Sequence, residues 1–549
     1  MIPTSSWFAF NDISKKEEKR NLIVLKKKKK KKKKKIKKNM RKSVKGCFIV
    51  ITFLCAIILI TAGIVMMNNQ TLWNYLIEKI RSEKKLIDNT MGYNIWLSPL
   101  DLVVNIYLFH VDNPDDVLKG ELPKLIERGP YVYDLILEKD VLSVNDIRDE
   151  ITYNMKKTYY FNEEESGEFL ENDEIVLLNM AYLGTINTLA GFSIKMLEQY
   201  GDSIGMLFPE ENHLFVKAKV KDILFSGISF KCDVSKHKNM KLICMTLKGK
   251  KPPILWNAEI ENTYMYSLFG TTNGTWIGPI TINRGVQDET KLGSITSMYN
   301  KRKNKYWITE ECNIIKGSDS IIFPFYNEPP PRIYIYAIET CRASFVEFKG
   351  VQRINQFEAW RYVYTSENWS QNESDCYCPT VKHIKTCPPI GLMDVDKCMK
   401  VPMILSEPHF LYADPKVLDY VPDLNPKEEF HSSFILIDTL TGKPLRGYKK
   451  IQINMKISPQ PIELLANVTE GYFPVVWISQ GVTEDKKNFD LMFMIYRIRS
   501  VILVLQWLPL VIGICLLLLI LLCYKLPIPR RKIRSIDSTK KINPTLPRI

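Results

Sequence analysis

Along most of this chain apolar and polar side chains alternate in short blocks, but in two stretches the alternation stops. Cys47 to Met67 (CFIVITFLCAIILITAGIVMM) runs 21 residues without a charge, and Val501 to Tyr524 (VILVLQWLPLVIGICLLLLILLCY) runs 24. At about 1.5 Å per residue, a helix of either length crosses a hydrocarbon core of about 30 Å. Both are expected to be transmembrane helices. Thr61-Ala62-Gly63 supplies the small residues of a signal-peptidase site. A signal core spans only about 7–15 residues, however, so the first run is expected to be an uncleaved anchor.

Between the runs, residues 68–500 change period repeatedly. Residues 71–88 (TLWNYLIEKIRSEKKLID) place Leu72, Leu76, Ile80 and Leu86 at helical spacing. LVVNIYLFHV (102–111) is strand-like and ends in the turn DNPDD, and YVYDLILEK (131–139) follows the turn Arg128-Gly129-Pro130. From Asp173 to Met206 the positions Ile175, Leu178, Ala181, Tyr182, Ile186, Leu189 and Ala190 predict helices. After residue 255 short alternating segments recur: TWIGPITI, RIYIYAIETC, SSFILIDTL and KKIQINMKI, with Thr441-Gly442-Lys443-Pro444 as one of the turns between them. The pattern predicts a mixed α+β segment in which antiparallel sheet predominates.

Charge then orients the chain. Residues 1–46 hold 19 Lys and Arg against Asp12, Glu17 and Glu18, a net of +16, which equals the charge of the whole 549-residue chain. Residues 525–549 hold eight basic residues against Asp537, so the part between the tails is acidic, at −7. Positive charge flanking the outer side of each apolar run places both tails, 1–46 and 525–549, in the cytoplasm, and 68–500 outside or in a lumen. The decalysine run Lys26 to Lys35 has no interleaved aromatics and sits about a dozen residues from a span. It is expected to touch anionic lipid rather than nucleic acid. Met40 offers an alternative start that would remove the run, since residues 1–39 add nothing the anchor needs; Met1 and Met40 both stay open.

That topology changes how the cysteines are read. Four lie in the apolar runs (Cys47, Cys55, Cys515, Cys523) and eight outside, six of them in the segment Cys312 to Cys398 that ends in CYCPTVKHIKTCPPIGLMDVDKC. Such a cluster is a disulfide framework or a metal site; an oxidising compartment favours disulfides, and His383 is then a surface residue. Six cysteines allow 15 pairings, and sequence alone selects none. Cys232 and Cys244 bracket DVSKHKNMKLI, a predicted hairpin. Zinc with His237 would have three ligands at irregular spacing, so a local disulfide is expected. Five N-x-S/T sequons fall outside: Asn69, Asn273, Asn368, Asn372 and Asn467. Asn69 lies against the membrane, where use is least expected. Cys523 at the cytoplasmic edge is a candidate for palmitoylation, with a plain apolar helix position as the alternative.

Gly201-Asp202-Ser203-Ile204-Gly205 matches the nucleophile elbow of lipases. The elbow needs an apolar strand before the serine, whereas KMLEQY is polar and helical, so hydrolysis is not expected. No phosphate loop, metalloprotease motif or thiol nucleophile stands out, and neither metal nor cofactor is expected.

NIYLFHVDNPDDVLKGELPKLIERGPYVYDLILEK (Asn105 to Lys139) resembles the opening of the class B scavenger receptor family, the group of fatty-acid translocase, croquemort and the lysosomal integral membrane protein. The likeness recurs in the Phe-Pro-Phe within Ile322 to Phe325, in Cys341-Arg342 and in PHFLYADPKVLDYVPDLNPKEEFHSSFILIDTLTGKPL (Pro408 to Leu445). It recurs again in KKIQINM (Lys449 to Met455) and PVVWISQGV (Pro474 to Val482), covering Met40 to about Tyr524. The resemblance implies an antiparallel β-barrel-like ectodomain core with an apical helix bundle at 173–206, anchored by two transmembrane helices. It implies the pairings Cys312 to Cys376, Cys341 to Cys398 and Cys378 to Cys387; Cys232 to Cys244 departs from its best-known members.

It implies, too, a receptor rather than an enzyme, with a hydrophobic tunnel carrying fatty acids, sterols, phospholipids or lipoprotein lipid to the membrane. The apical helices are then a surface for a protein ligand, with Lys195 as a candidate for an anionic head group. The alternative is a lysosomal trafficking receptor binding a soluble protein cargo. The C-terminal tail lacks an acidic dileucine, and Tyr524 has Pro527 at +3 where a sorting signal wants a bulky apolar residue, so the plasma membrane is preferred.

Overall fold

The computed structural model describes residues 8–68, 71–208, 213–232, 241, 243–245, 251–355, 357–370, 375–378, 380–381, 384–482 and 486–525. These form two compact units, Lys79–Asp490 and the pair of segments Met1–Glu78 and Leu491–Ile549.

The paired segments are helical. Helix α1 (Phe8–Asn68) carries the first apolar run and extends back through the lysines, and a closing helix, Lys486–Lys525, carries the second. Each is long and apolar enough to cross a membrane. They approach closely because two glycines remove the side chain at the crossing. A Cβ on Gly63 would sit 2.8 Å from the backbone nitrogen of Leu510, and one on Gly513 2.8 Å from the carbonyl oxygen of Ala56. Ala56 is fully buried there, while Phe48, Ile58, Val504 and Leu522 face outward. Helix α2 (Thr71–Lys84) follows α1, as the spacing of Leu72, Leu76 and Ile80 predicts, but it stops short of Leu86, which instead pairs with Arg284.

The Lys79–Asp490 unit is built on one large antiparallel sheet. In chain order the first strands are β1 (Leu100–Val111), β2 (Leu125–Asn145), β3 (Glu150–Phe161), β4 (Glu174–Leu178), β5 (Phe215–Lys219), β6 (Ile228–Lys231), β7 (Leu255–Asn257) and β8 (Thr263–Tyr266). Then come β9 (Trp276–Asn283), β10 (Ile295–Met298), β11 (Arg332–Ala337), β12 (Arg342–Ile354), β13 (Phe357–Val363), β14 (Thr380–Val381) and β15 (Ile384–Lys385). The last are β16 (Met393–Asp394), β17 (Ile404–Ser406), β18 (Phe434–Asp438), β19 (Pro444–Ile457) and β20 (Gly471–Val482). The main sheet runs β10-β9-β3-β2-β1-β20-β19-β18-β13-β12-β11, so the first and last thirds of the segment meet where β1 pairs with β20. In β1 the residues Val104, Ile106 and Leu108 are at most 1 % exposed and alternate with more open positions, the period-2 pattern of a strand with one face on a core.

The two edge strands do not stay open. Ser318 bridges to Ser294 next to β10 and to Ile335 in β11, donating its backbone N–H to Tyr334 and accepting from Tyr336 through its carbonyl. The sheet is thereby a nearly closed barrel, which removes most of the unpaired edge. Gly317 makes this passage feasible: at φ +115° it adopts a backbone conformation that side chains resist, and a Cβ would lie 2.8 Å from Ile335.

The ends of the barrel are distinct. The chain enters at Leu86, whose N–H donates to the carbonyl of Arg284 just past β9 and whose carbonyl accepts from the Arg284 guanidinium, and β1 starts, β19 starts and β20 ends on this side. Helices α3 (Met91–Leu97), α4 (Pro114–Leu118) and α5 (Glu163–Ser166) are short. Helices α6 (Met180–Phe192) and α7 (Ile194–Ile204) cap the opposite end, where Asn187 donates to the carbonyl of Lys456 near the close of β19.

Two expectations are corrected. Residues 173–206 are not helical throughout: β4 comes first, pairing with β5 and burying Ile175 and Leu177, and the helices begin only after Asn179 caps α6 by accepting the Tyr182 N–H. The apolar run DEIVLL is short enough to serve either period, and its partner strand decides. Arg128-Gly129-Pro130 lies inside β2 rather than forming a turn, because Gly129 at φ +141° lets the register shift between Ile106 and Leu108. The predicted hairpin between Cys232 and Cys244 lies largely outside the described residues.

All four expected disulfides are present: Cys232–Cys244, Cys312–Cys376, Cys341–Cys398 and Cys378–Cys387. Cys341–Cys398 closes 57 residues and ties the β11–β12 corner to the segment before β17. Replacing both of its cysteines by serine is expected to lower unfolding stability by about 4 kcal/mol, the loop-closure entropy of a span of that size, measured by thermal or denaturant unfolding with the other three bridges intact.

Candidate functional site

A cavity of ≈ 250 Å³ lies inside the barrel. Its wall is drawn from most of the strands: Leu100 and Leu102 of β1, Leu137 of β2, Met155 of β3, Ile335 of β11, Ile435 of β18 and Ile451 of β19, with Phe323 and Ile338 from the connections. Residues from sequence positions more than 350 apart thus share one apolar surface, as interior alternation around a closed sheet requires.

Charged groups interrupt that wall at Asp319 and at two further places. At the first, Glu339 accepts from Lys157 at 3.2 Å and from Lys449 at 2.7 Å. Burial would raise the Glu339 carboxyl, but the two ammonium groups hold it well below the usual carboxylate range. Two cations against one anion leave this point of the wall net positive. Glu339 precedes Cys341 by two residues, so the Cys341–Cys398 bridge holds the carboxylate in place. At the second, Glu407 is only 4 % exposed, and burial pushes its carboxyl up to about 8 despite Lys450 and the Ser433 hydroxyl, which donates to it at 3.4 Å. Burial in turn lowers the Lys450 ammonium, which donates to the Phe430 carbonyl.

The PHFLYADP segment builds a neighbouring network. His409, at φ +54°, donates its backbone N–H to the side chain of fully buried Gln452. Its Nε2 lies 2.6 Å from Glu127, which also accepts from the Trp477 indole at 2.9 Å. The rings of His409 and His431 stack 4.1 Å apart, and each Nδ1 accepts a backbone N–H, from Asn425 and Lys427 respectively. Burial and the adjacent His409 lower His431 to about 4. Gln452 continues to Asn454, which donates to Ser406 and to the Ile404 carbonyl, so a polar ladder joins β19 to β17 beneath the histidines.

The candidates drawn from the sequence fall elsewhere. Lys195 is exposed in the first turn of α7 and does not line the cavity. Ser203 sits in the last turn of α7 with no strand before it, so the elbow geometry does not exist. Asn467 is exposed, and Asn273 is half-buried with its side-chain carbonyl accepting the Tyr159 N–H. Asn368 departs from the glycan expectation: it is 2 % exposed, and its amide nitrogen donates to the Phe345 carbonyl at 2.8 Å while its oxygen accepts the Phe345 N–H. A glycan on that nitrogen has no room, so Asn368 is a structural residue. Asn69, Asn372 and His383 lie outside the described residues, as does the side chain of Cys523. Among the described residues no group of three or more His, Cys, Asp or Glu is placed to hold a metal ion. Nothing in the sequence pattern singles out Lys157, Glu339, Glu407 or Lys449, and Gln452 and Asn454 stand in a strand that also carries Arg446, Lys449, Lys450 and Lys456, so alternation alone does not mark them as interior.

The two shifted groups dictate a pH profile. Glu407 is raised, so between pH about 4.5 and 8 the folded state holds a proton that the unfolded chain has lost, and stability falls as pH rises. His431 is lowered, so between about 4 and 6.5 the unfolded chain binds the extra proton, and stability falls as pH drops. The effects oppose each other below 6.5, and Lys84, which burial lowers to about 7, opposes Glu407 above 7, so the Glu407 contribution across the 6.5–8 window is read by difference from its variant. Glu407→Gln is expected to abolish a loss of roughly 2 kcal/mol across that window, read by thermal unfolding at stepped pH.

Residues 54–524 match the family model described as the CD36 family. The sensory neuron membrane protein 2 of Manduca sexta is 32% identical over 416 residues, 73% of this chain and 80% of that protein. Its counterpart in Ostrinia furnacalis is 30% identical over 417 residues, covering 74% and 79%. The sensory neuron membrane protein 1 of Manduca sexta is 29% identical over 475 residues, covering 85% and 89%. The match runs from one apolar segment to the other through the barrel and its disulfides, and this chain belongs to the CD36 family, that of the class B scavenger receptors.

Proposed function

We propose that this protein is a plasma-membrane receptor that takes up lipid outside the cell and passes it to the bilayer, with the barrel cavity as the acyl-chain site. The observation that carries the reading is the apolar wall around ≈ 250 Å³ inside the barrel, interrupted by a net positive point at Lys157, Glu339 and Lys449. An acyl chain gains about 0.8 kcal/mol for each methylene it buries, and the cationic point suits an anionic head group. The relatives are named as membrane proteins of sensory neurons, and the C-terminal tail without an acidic dileucine supports a cell-surface role over the lysosomal alternative. In this reading both tails are cytoplasmic, Asn273 and Asn467 carry glycans, Asn69 and Asn372 remain candidates, and Cys523 is open to palmitoylation. The exposed turn between α6 and α7, with Phe192 and Lys195, is the surface for a protein ligand.

The test is binding and transfer of fluorescent fatty acid, cholesterol ester and phospholipid by the full chain in lipid nanodiscs. At least one class is expected to bind, and Ile338→Trp, which fills the cavity from a half-buried wall position, is expected to slow transfer at least tenfold while circular dichroism stays unchanged. Absence of binding by all three classes, or unchanged transfer in the tryptophan variant, overturns the proposal.

A further inference from the structure

The barrel end at which the chain enters carries an apolar surface that the cavity does not use. Beyond the rung Val141–Tyr153, strands β2 and β3 continue as a hairpin whose residues 142–148 are all exposed. Leu142 is 50 % exposed, Val144 49 % and Ile147, at the tip, 90 %. Next to this rung Trp96 of α3 packs edge-on against Tyr153, and Met91 and Ile95 of the same helix are both 39 % exposed.

An isoleucine in water at the tip of a loose loop would mean little, but this tip is held from several sides. Arg284 joins Asp146 at 2.5 Å and donates to the Leu86 carbonyl at 3.0 Å. Gln287 donates to the carbonyl of Asp146, and Asp149 accepts the N–H groups of Val286 and Gln287. The backbone is therefore fixed by the residues where the chain enters, and the apolar side chains are what it presents. An immobilised apolar cluster has already lost the freedom that binding would otherwise cost.

Chain connectivity says what covers it. Leu86, one guanidinium away from the tip, comes nineteen residues after Met67 closes the first apolar run, a tether of ~30 Å when most of it is helix. Strand β20 runs toward this same end and stops at Val482, ahead of the second apolar run at Val501. Along the chain, both ends of the barrel unit that connect to the apolar runs thus lie on the side that displays Leu142, Val144 and Ile147. We infer that the β2–β3 hairpin tip, with Met91 and Ile95 beside it, dips into the outer leaflet and rests the barrel on the lipid. Its occupant is the acyl-headgroup boundary of a zwitterionic bilayer, since Arg148 stands among Asp140 and Asp146 and the tip shows no cationic excess for anionic lipid. The inference stands whether or not the cavity carries lipid.

The test places a nitroxide on Ile147→Cys in the full chain, with Cys47, Cys55, Cys515 and Cys523 replaced by alanine, in phosphatidylcholine nanodiscs. A second label on Ile260→Cys, a site 66 % exposed, is the water-facing control. The label at 147 is expected to collide with oxygen several-fold more than with a nickel chelate, while the label at 260 shows the reverse. A label at 147 as open to the chelate as the one at 260 overturns the inference. Shielding from both agents alike also overturns it, because that signals a protein partner or a second copy in place of lipid. Position 147 is almost fully exposed, so the label does not disturb packing.

Discussion

The structure depends on an edge that is closed. A sheet of eleven strands in one path has two outer strands whose backbone groups must find partners, and here Ser318, placed by the preceding Gly317, pairs with both sides. Closure turns one face of the sheet into an enclosed interior. That interior is then a matter of packing: side chains fill it where they are large and close, and where Leu100, Ile335 and Ile451 fall short of one another a cavity remains.

The disulfides stabilise the same closure from outside. Three of the four lie between Cys312 and Cys398, the stretch that follows β10, makes the edge strand β11 and returns toward β17. This part of the unit has little helix and many short elements, so its loops cost much entropy to order, and covalent closure offsets that cost. Position follows from it as well. The corner at Cys341 sets Glu339 between two lysines from distant strands, Lys157 of β3 and Lys449 of β19.

The polar ladder of His409, Gln452, Asn454 and Ser406 has a similar logic. Each member is buried or nearly so, and each finds a partner, so the ladder specifies how β19 meets β17 where hydrophobic contact alone would tolerate slippage. Glu127 and the stacked histidines extend it across β2 and β20. Pro408 to Leu445, one of the segments that resemble the family in sequence, is thus one whose side chains hold several strands in register.

What the sequence determined by itself is whatever depends on local period, charge or spacing. The two membrane helices follow from runs of 21 and 24 uncharged residues, the orientation from basic flanks, and the strands after residue 255 from alternation. Disulfide pairing, the barrel and the apical helices were legible through resemblance to a family, because pattern alone left 15 pairings among six cysteines. Tertiary structure decided the rest. It made DEIVLL a strand, since only the facing β5 distinguishes a short buried strand from a helical turn. It also put Asn368 inside, bonded to Phe345, where a sequon suggests a surface. It assembled the cavity from residues hundreds of positions apart, and a contact of that kind leaves no linear trace because each strand contributes only one or two side chains to it.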